Sequence, residues 1–94
     1  MAIEIAEAPE RCRYEIRVDG ELVGFADYTD RDALRVIPHV EVDPAHGGRG
    51  MATRLTAWAL DDIRARGKQV APLCPFVATY VHEHPEYGDL VARR

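Results

Sequence analysis

Hydrophobic and polar residues alternate without a break along residues 11–18, whose sequence is RCRYEIRV. This period of two predicts a half-buried β-strand, with Cys12 as one of its small core residues. Asp19-Gly20 follows and is a preferred pair for a two-residue hairpin turn. Residues 21–28 are therefore expected to run back antiparallel. Apolar side chains fall on both of their faces, which predicts a strand covered on both sides; the two apolar pairs are Leu22 with Ala26 and Val23 with Phe25.

A third extended segment spans residues 33–42, after a polar turn at residues 29–32. Pro38 interrupts this segment. Because proline cannot donate a ladder hydrogen bond, Pro38 predicts a bulge or a break into two strands. The three segments together predict an antiparallel meander, and residues 1–10 before it are expected to be an N-terminal tail or short extension.

The hydrophobic period changes to three and four residues across residues 49–66, which is typical of an amphipathic helix. Gly67 is expected to end this helix. Residues 68–74 favour a short strand, and a second helix that begins with proline is predicted over residues 75–84. In this second helix the apolar side chains, including Phe76, are expected to lie in the core.

Composition limits the chain to one small domain. Its 94 residues are 47% hydrophobic and 30% charged, with a formal net charge of −4. We therefore predict a single α+β domain over residues 1–94, in which helix, strand and helix follow the meander and pack on one central mixed sheet. The acidic balance argues against nucleic acid as a partner, and no apolar run approaches the length of a membrane span.

Glu4 and Glu7 interrupt the first apolar residues, so no signal peptide is predicted and a cytoplasmic location is expected. The two cysteines, Cys12 and Cys74, are too few for a disulfide scaffold, and no His/Cys spacing predicts a metal site. Both cysteines are expected to be reduced thiols.

A glycine-rich segment, PAHGGRGMATRL at residues 44–55, lies between the third extended segment and the long helix. Glycines let a backbone approach a ligand closely, and the free amides at a helix N-terminus favour a phosphate group. Arg49 adds a positive charge, and His46 is placed to contact phosphate or solvent. The alternative is a glycine-rich turn that only caps the helix, because a short glycine cluster is a weak signal by itself.

Several segments, in their order along the chain, resemble the GNAT superfamily of N-acetyltransferases. Residues 40–55 are similar to the acetyl-coenzyme A (acetyl-CoA) motif Q/R-x-x-G-x-G/A, with Gly50 and Ala52 in its last two defined positions. Gly47 departs from the motif, whose first position is usually Gln or Arg. The segments FADY, PHVEVDP, GRGMA, PLCPFVATYV and HPEY resemble a small, minimal GNAT-like group.

The resemblance implies a minimal GNAT fold and acetyl-CoA as cosubstrate, with no metal. The loop backbone would hold the pyrophosphate of CoA, and the splayed strand before the loop would pair with the pantetheine arm. The cofactor-binding residues implied in this way are Val40, Val42, Gly47, Gly48, Arg49, Gly50, Met51, Ala52 and Arg54. The side chain missing at Gly47 is expected to weaken pyrophosphate binding without removing the backbone cradle.

Three residues are candidates for catalysis. Cys74 precedes Pro75 at a helix start, where the dipole and free amides favour a thiolate. The resemblance implies a role for Cys74 as nucleophile or as acid for the leaving CoA thiolate, and a structural core thiol is the alternative. His39 and Glu41 lie on the strand that leads into the loop, as general bases for an attacking amine or as polar groups on a solvent face.

The implied function is acetyl-CoA-dependent acetyl transfer to an amine, by direct attack or with Cys74 participating. The alternative is a non-catalytic CoA-binding or protein-interaction module that retains the fold. The tight turn at Asp19-Gly20 leaves no room for the helices that wall the acceptor site in larger GNAT domains. An open site is therefore expected, suited to an exposed amine such as a protein N-terminus or lysine. Trp58 is expected in the core or on an association surface, so a monomer and a homodimer both stay open.

Overall fold

A computed structural model describes residues 1–92, which form one five-stranded sheet and two α-helices. The strands are β1 Ile3–Ala8, β2 Arg13–Val18, β3 Glu21–Arg31, β4 Leu34–Val42 and β5 Gln69–Pro72, and the helices are α1 Met51–Ala65 and α2 Pro75–Glu83. Short 3-10 turns cover Pro9–Arg11, Pro44–His46 and Pro85–Leu90. The strands lie in the order β1-β2-β3-β4-β5, with β5 parallel to β4 and all other neighbours antiparallel. This confirms the predicted α+β fold with one mixed sheet.

The N-terminal residues contribute an edge strand to the sheet. β1 pairs antiparallel with β2 over its whole length, from Ile3 opposite Val18 to Ala8 opposite Arg13. Ile3 packs partly buried against the core, because alternate β1 side chains point toward it. The short extension expected at residues 1–10 is thus largely a strand.

Cys12 is exposed, so its prediction as a core residue is wrong. The chain reverses between β1 and β2 through the 3-10 turn Pro9–Arg11, and Cys12 follows this turn with a left-handed φ of 52°. The alternating sequence continues through this reversal, but the strand begins only at Arg13. The alternation therefore predicted the strand correctly but placed its start two residues too early.

Leu22 and Phe25 share one face of β3, although an odd spacing in a regular strand would place them on opposite faces. A register shift in the β2–β3 pairing causes this, since Leu22 lies opposite Arg17 and Phe25 lies opposite Glu15. We call the sheet face with Glu15 and Phe25 the outer face. Val23 points into the core. The predicted covering of β3 on both sides is therefore wrong, because Leu22 is exposed and Phe25 is only half-buried on the outer face.

Pro38 does not divide β4 into two strands. The pairing with β3 shifts around it, because Asp27 lies opposite His39 whereas Thr29 lies opposite Val36. Of the two predicted alternatives, the bulge is the one that forms. β3 also continues to Arg31, so the turn expected at residues 29–32 is shorter and later than predicted.

The core lies between the sheet and the helices. α1 packs against β2, β3 and β4 through its apolar face, as the helical period predicts, and Gly67 ends it with a left-handed φ of 70°. α2 adds Val77 and Val81. The buried residues of α1 are Met51, Leu55, Thr56, Ala59, Leu60 and Ile63. Within residues 1–92, neither helix is long and apolar enough to cross a membrane.

Arg35 is a buried charge that the hydrophobic pattern did not indicate. Only 3% of it is exposed, and its guanidinium donates to Asp30 at 2.7 and 2.8 Å and to the Tyr14 hydroxyl at 2.8 Å. Glu7 lies 3.2 Å away, and the Tyr28 ring packs 3.8 Å below the guanidinium carbon. The hydrogen bond to Asp30 is the largest influence raising the pKa of Arg35. This cluster joins β1, β2, β3 and β4 beside the core.

Candidate active site

β4 leads into a glycine loop that opens α1. The Asp43 carboxylate accepts a hydrogen bond from the Ala45 amide at 2.9 Å and so caps the 3-10 turn Pro44–His46. Gly48 and Gly50 follow with φ values of 76° and 75°, which L side chains rarely adopt. Gly50 is the N-cap of α1, and no side chain among residues 1–92 bonds to the amides there. The first amides of α1 are therefore free to bind an anion.

A pocket of about 230 Å³ lies against this loop. Its walls come from the end of β4, the glycine loop, the first turn of α1 and the start of α2. The lining residues are Val42, His46, Gly47, Gly48, Gly50, Met51, Ala52, Thr53 and Phe76. Main-chain groups and small or apolar side chains form these walls, so the pocket suits a ligand with an anionic end and an apolar arm.

Most of the cofactor-binding residues predicted from the sequence line this pocket, and three do not. Val40 is half-buried further back on β4, and Arg49 and Arg54 are exposed beside the loop and on α1. The structure thus brings the predicted loop together as one wall. Phosphate contacts for Arg49 and Arg54 stay predictions.

Phe76 is the pocket residue that was predicted to lie in the core. It is 41% exposed and lines the pocket, although its four-residue spacing to Tyr80 suggested the core. Its position in the first turn of α2, directly after Pro75, could have indicated this, because a side chain there stands over the turn before the helix. Val77 is fully buried, as predicted.

The edge of β4 opens beside the pocket. β5 pairs with β4 only from Leu34 to Ile37, and within residues 1–92 no strand pairs with this edge beyond Ile37. Pro38 stands where the pairing ends. Backbone groups of residues 39–42 on this side are therefore available to an extended ligand with amide groups.

Cys74 lies where β4 and β5 separate. Its amide donates to the carbonyl oxygen of Ile37 at 2.9 Å, and the residue as a whole is 6% exposed. Cys74 is the N-cap residue of α2, with Pro75 following it as predicted. The thiol is thus buried next to the open edge, a position compatible with either a structural or a chemical role.

His39 and Glu41 lie on the outer face and are exposed over 53% and 61% of their side chains. His39 Nε2 lies 3.0 Å from Glu41 Oε1, and the His39 ring packs near Phe25 with ring centres 6.0 Å apart. The pair is therefore accessible to solvent, not part of the cofactor pocket, and adjacent to the open edge of β4.

His46 Nδ1 is buried and has no hydrogen-bond partner within residues 1–92. His46 lines the pocket, and its loop position was predicted to face phosphate or solvent. A buried polar atom without a partner is costly. Its presence at the pocket wall is an independent indication that the loop is shaped for a ligand. No group of three or more His, Cys, Asp or Glu side chains in the described residues could hold a metal ion.

A family model for GCN5-related N-acetyltransferases matches residues 13–90 of this 94-residue chain. The chain belongs to the GCN5-related N-acetyltransferase family. The match spans β2 to the last 3-10 turn, so it includes the glycine loop, the open edge and Cys74. No curated protein sequence matches the chain significantly.

Solved structures share the fold of this GCN5-related chain. The solution structure of a GCN5-like protein from Staphylococcus aureus aligns with a TM-score of 0.73 at 18% identity, covering 97% of this chain and 89% of the other. The ribosomal-protein-S18-alanine N-acetyltransferase from Escherichia coli aligns with a TM-score of 0.64 at 16% identity, over 82% of this chain and 52% of that enzyme. The chain thus spans about half of the larger enzyme.

Some of the fold relatives were solved with coenzyme A bound. The PaiA N-acetyltransferase from Thermoplasma acidophilum, in complex with coenzyme A, aligns with a TM-score of 0.58 at 10% identity over 79% of this chain and 48% of that one. The family places the chain among the N-acetyltransferases, and these structures show that it shares their fold.

Proposed function

We propose that this chain transfers the acetyl group of acetyl-CoA to a primary amine. The observation that carries the proposal is the pocket at the glycine loop, which adjoins the unpaired edge of β4. Free amides at the start of α1 would hold the pyrophosphate, and the edge at residues 39–42 would bind the pantetheine amides. Phe76 and Met51 would supply apolar contacts to the pantetheine arm.

Main-chain groups do most of the proposed binding. Gly50 has a positive φ of 75° at the start of α1, and a Cβ at this position would meet no atom within 4 Å. That open space at the loop is compatible with a bulky anion. The buried, unpaired His46 Nδ1 supports the same assignment.

The chemistry we propose is direct attack by the amine. Glu41, with His39 beside it, accepts the proton of the acceptor ammonium, and the free amine nitrogen attacks the thioester carbonyl carbon. The C–N bond forms as the C–S bond breaks, and the second proton of the attacking nitrogen passes to water, as does the proton held by Glu41. The Cys74 thiol then gives its proton to the departing CoA thiolate and regains one from solvent. The products are an acetylated amine and free CoA.

Titration calorimetry with acetyl-CoA tests the cofactor site, and the chain offers a matched pair of variants. Gly50→Glu and Gly67→Glu each place the same side chain at a left-handed glycine, with φ of 75° and 70° and open space around it. Both should cost about 1–2 kcal/mol of stability from backbone strain. Only Gly50→Glu brings a carboxylate to the phosphate site, so it should weaken acetyl-CoA binding by more than about tenfold.

Saturable binding that both variants retain would contradict the proposed cofactor site. Binding by the native protein without transfer to any amine would favour a CoA-binding module that keeps the fold and has lost turnover. Release of free CoA thiol, followed in the presence of an amine acceptor, separates these two functions.

Cys74→Ala and Cys74→Ser test the role of the thiol. A slower chemical step with no acetylated protein in intact mass spectra is the result expected for a proton donor. An acetyl group that accumulates on Cys74 when the acceptor is left out would make Cys74 the nucleophile instead. Unchanged turnover in a folded Cys74→Ala protein would leave it a structural thiol.

A further inference from the structure

A second groove, of about 250 Å³, lies at the end of β4 next to the cofactor pocket. The register shift in β3 shapes it, because that shift turns both Leu22 and Phe25 to the outer face. We call it the outer groove. Its lining residues are Leu22, Val23, Gly24, Phe25, Glu41, Asp43 and Pro44.

The outer groove combines apolar walls with negative charge. Leu22, 37% exposed, and Phe25 supply the apolar surface, and Glu41 lies directly opposite Phe25 across the two strands. Asp43 adds a second carboxylate, and none of the lining residues is basic. The Arg13 guanidinium lies over the Phe25 ring, 4.6 Å from its centre, and is paired with Glu15. Apolar walls with carboxylates at one end complement a cation carried on an aliphatic stem.

The outer groove and the cofactor pocket lie on opposite faces of the end of β4. Glu41 and Asp43 line this groove, whereas Val42, between them in sequence, lines the cofactor pocket. Successive residues of a strand point to opposite faces, so the end of β4 forms a wall of both cavities. Within residues 1–92, no strand covers the β5 side of β4 at Glu41, so the two cavities can meet around that edge.

We infer that the outer groove holds the acceptor, and that the acceptor is a primary ammonium at the end of an aliphatic stem. This inference rests on the proposed function. Leu22 and Phe25 contact the stem, and Glu41 and Asp43 attract the ammonium group. Glu41 takes one proton before the nitrogen attacks. Lysine in a peptide and a free alkyl diamine share this chemistry.

Steady-state kinetics with three acceptors distinguish lysine in a peptide from a free alkyl diamine as the source of the ammonium group. The acceptors are a peptide with a blocked N-terminus and one lysine, free 1,5-diaminopentane, and a lysine-free peptide with a free N-terminal alanine. We expect acetylation of the lysine peptide, the diamine or both, which identifies the source. Shortening the lysine stem to that of 2,3-diaminopropionate should raise KM. Acetylation of the N-terminal alanine alone would overturn the inference.

Two variants test the groove itself. Leu22→Ala removes apolar wall, and Asp43→Asn removes charge while keeping an oxygen that can accept from the Ala45 amide. Each should raise KM for the stem-bearing acceptor by about threefold, with kcat and the acetyl-CoA Kd unchanged. Glu21→Gln is the matched control, because Glu21 is an exposed carboxylate beside Leu22 that does not line the groove.

An unchanged acceptor KM in both groove variants, or an equal rise in Glu21→Gln, would overturn the inference. Calorimetry with acetyl-CoA keeps this failure distinct from failure of the proposed function. A protein that binds acetyl-CoA and acetylates neither stem-bearing amine would overturn the groove assignment alone. A protein that does not bind acetyl-CoA would contradict the proposed function, and the groove assignment with it.

Discussion

The two halves of β4 differ in how their backbone and side chains are satisfied. From Leu34 to Ile37 the strand has a neighbour on each side, and its Arg35 is buried among hydrogen-bond partners. From Pro38 to Val42 it has β3 on one side only. The same strand therefore supports the sheet with its first half and forms the walls of two cavities with its second.

Polar side chains on and near the sheet also divide into groups bonded within the protein and groups left open. Arg35 and Glu15 have several protein partners each, whereas Glu41 is largely exposed and His46 Nδ1 has none within residues 1–92. Groups already bonded within the protein contribute to stability. Groups without a protein partner are available to a ligand. Variants of the bonded groups should therefore change stability, and variants of the open groups should change binding or catalysis.

The largest expected effect is on stability, at Arg35. Arg35→Ala leaves Glu7, Asp30 and the Tyr14 hydroxyl without their shared donor, and it should cost about 3 kcal/mol or more of unfolding free energy in urea. Arg31→Ala, at an exposed position on β3, is the control and should stay within about 0.5 kcal/mol. A loss below about 1 kcal/mol for Arg35→Ala would show that the cluster is not structural.

Substitution of Glu41 is expected to lower activity and to leave stability nearly unchanged. Glu41→Gln should lower the acetyl-transfer rate by about 100-fold at saturating acetyl-CoA, because the proton acceptor is lost. Its unfolding free energy should change by less than about 0.5 kcal/mol, since the side chain is 61% exposed. A variant that is destabilised but fully active would place Glu41 with the structural groups.

Lowering the pH should weaken the ion pairs that Glu15 makes on the outer face. Hydrogen bonds from Arg11 first, and then from Arg13 and Arg17, lower the pKa of Glu15 to about 2. A depressed pKa gives stability that is complete above the ordinary glutamate value of about 4.3 and is lost as pH falls toward 2. Glu15→Gln should therefore be about 1–3 kcal/mol less stable than the native chain at pH 7.

That difference should shrink steadily between about pH 5 and pH 2 in urea titrations. Other carboxylates titrate in both proteins, so the difference between them isolates Glu15. A difference that does not vary with pH would mean that the glutamine change acts through packing and not through the charge of Glu15.

The smallest effect on stability is expected for substitution of Tyr87. The Tyr87 hydroxyl donates to Asp61 at 2.8 Å, and burial first, with this bond second, raises the pKa of Tyr87 to about 12. Tyr87→Phe should cost about 1 kcal/mol of unfolding free energy and leave the acetyl-CoA Kd unchanged. A weakened Kd would extend the cofactor site beyond the loop and α2.

The sequence predicted the strands and helices after β1 because their hydrophobic periods are regular, and it predicted the glycine loop because its spacing is distinctive. It could not place Leu22 and Phe25 on one face, since a register shift depends on the partner strand and not on local spacing. Cys12 was wrongly predicted to lie in the core for a related reason, because the alternation continues through a chain reversal. Arg35 reads as an ordinary charge until the tertiary structure brings Asp30 and Tyr14 to it.

An amide ¹⁵N–¹H NMR titration of the reduced protein with CoA tests the division of β4 most directly. We expect shifts in Val40–Val42, in residues 46–54 and at Phe76, with little change in Leu34–Ile37 or in β1 and β2. Shifts confined to another surface, or none at millimolar CoA, would contradict the division of β4 into a supporting half and a binding half.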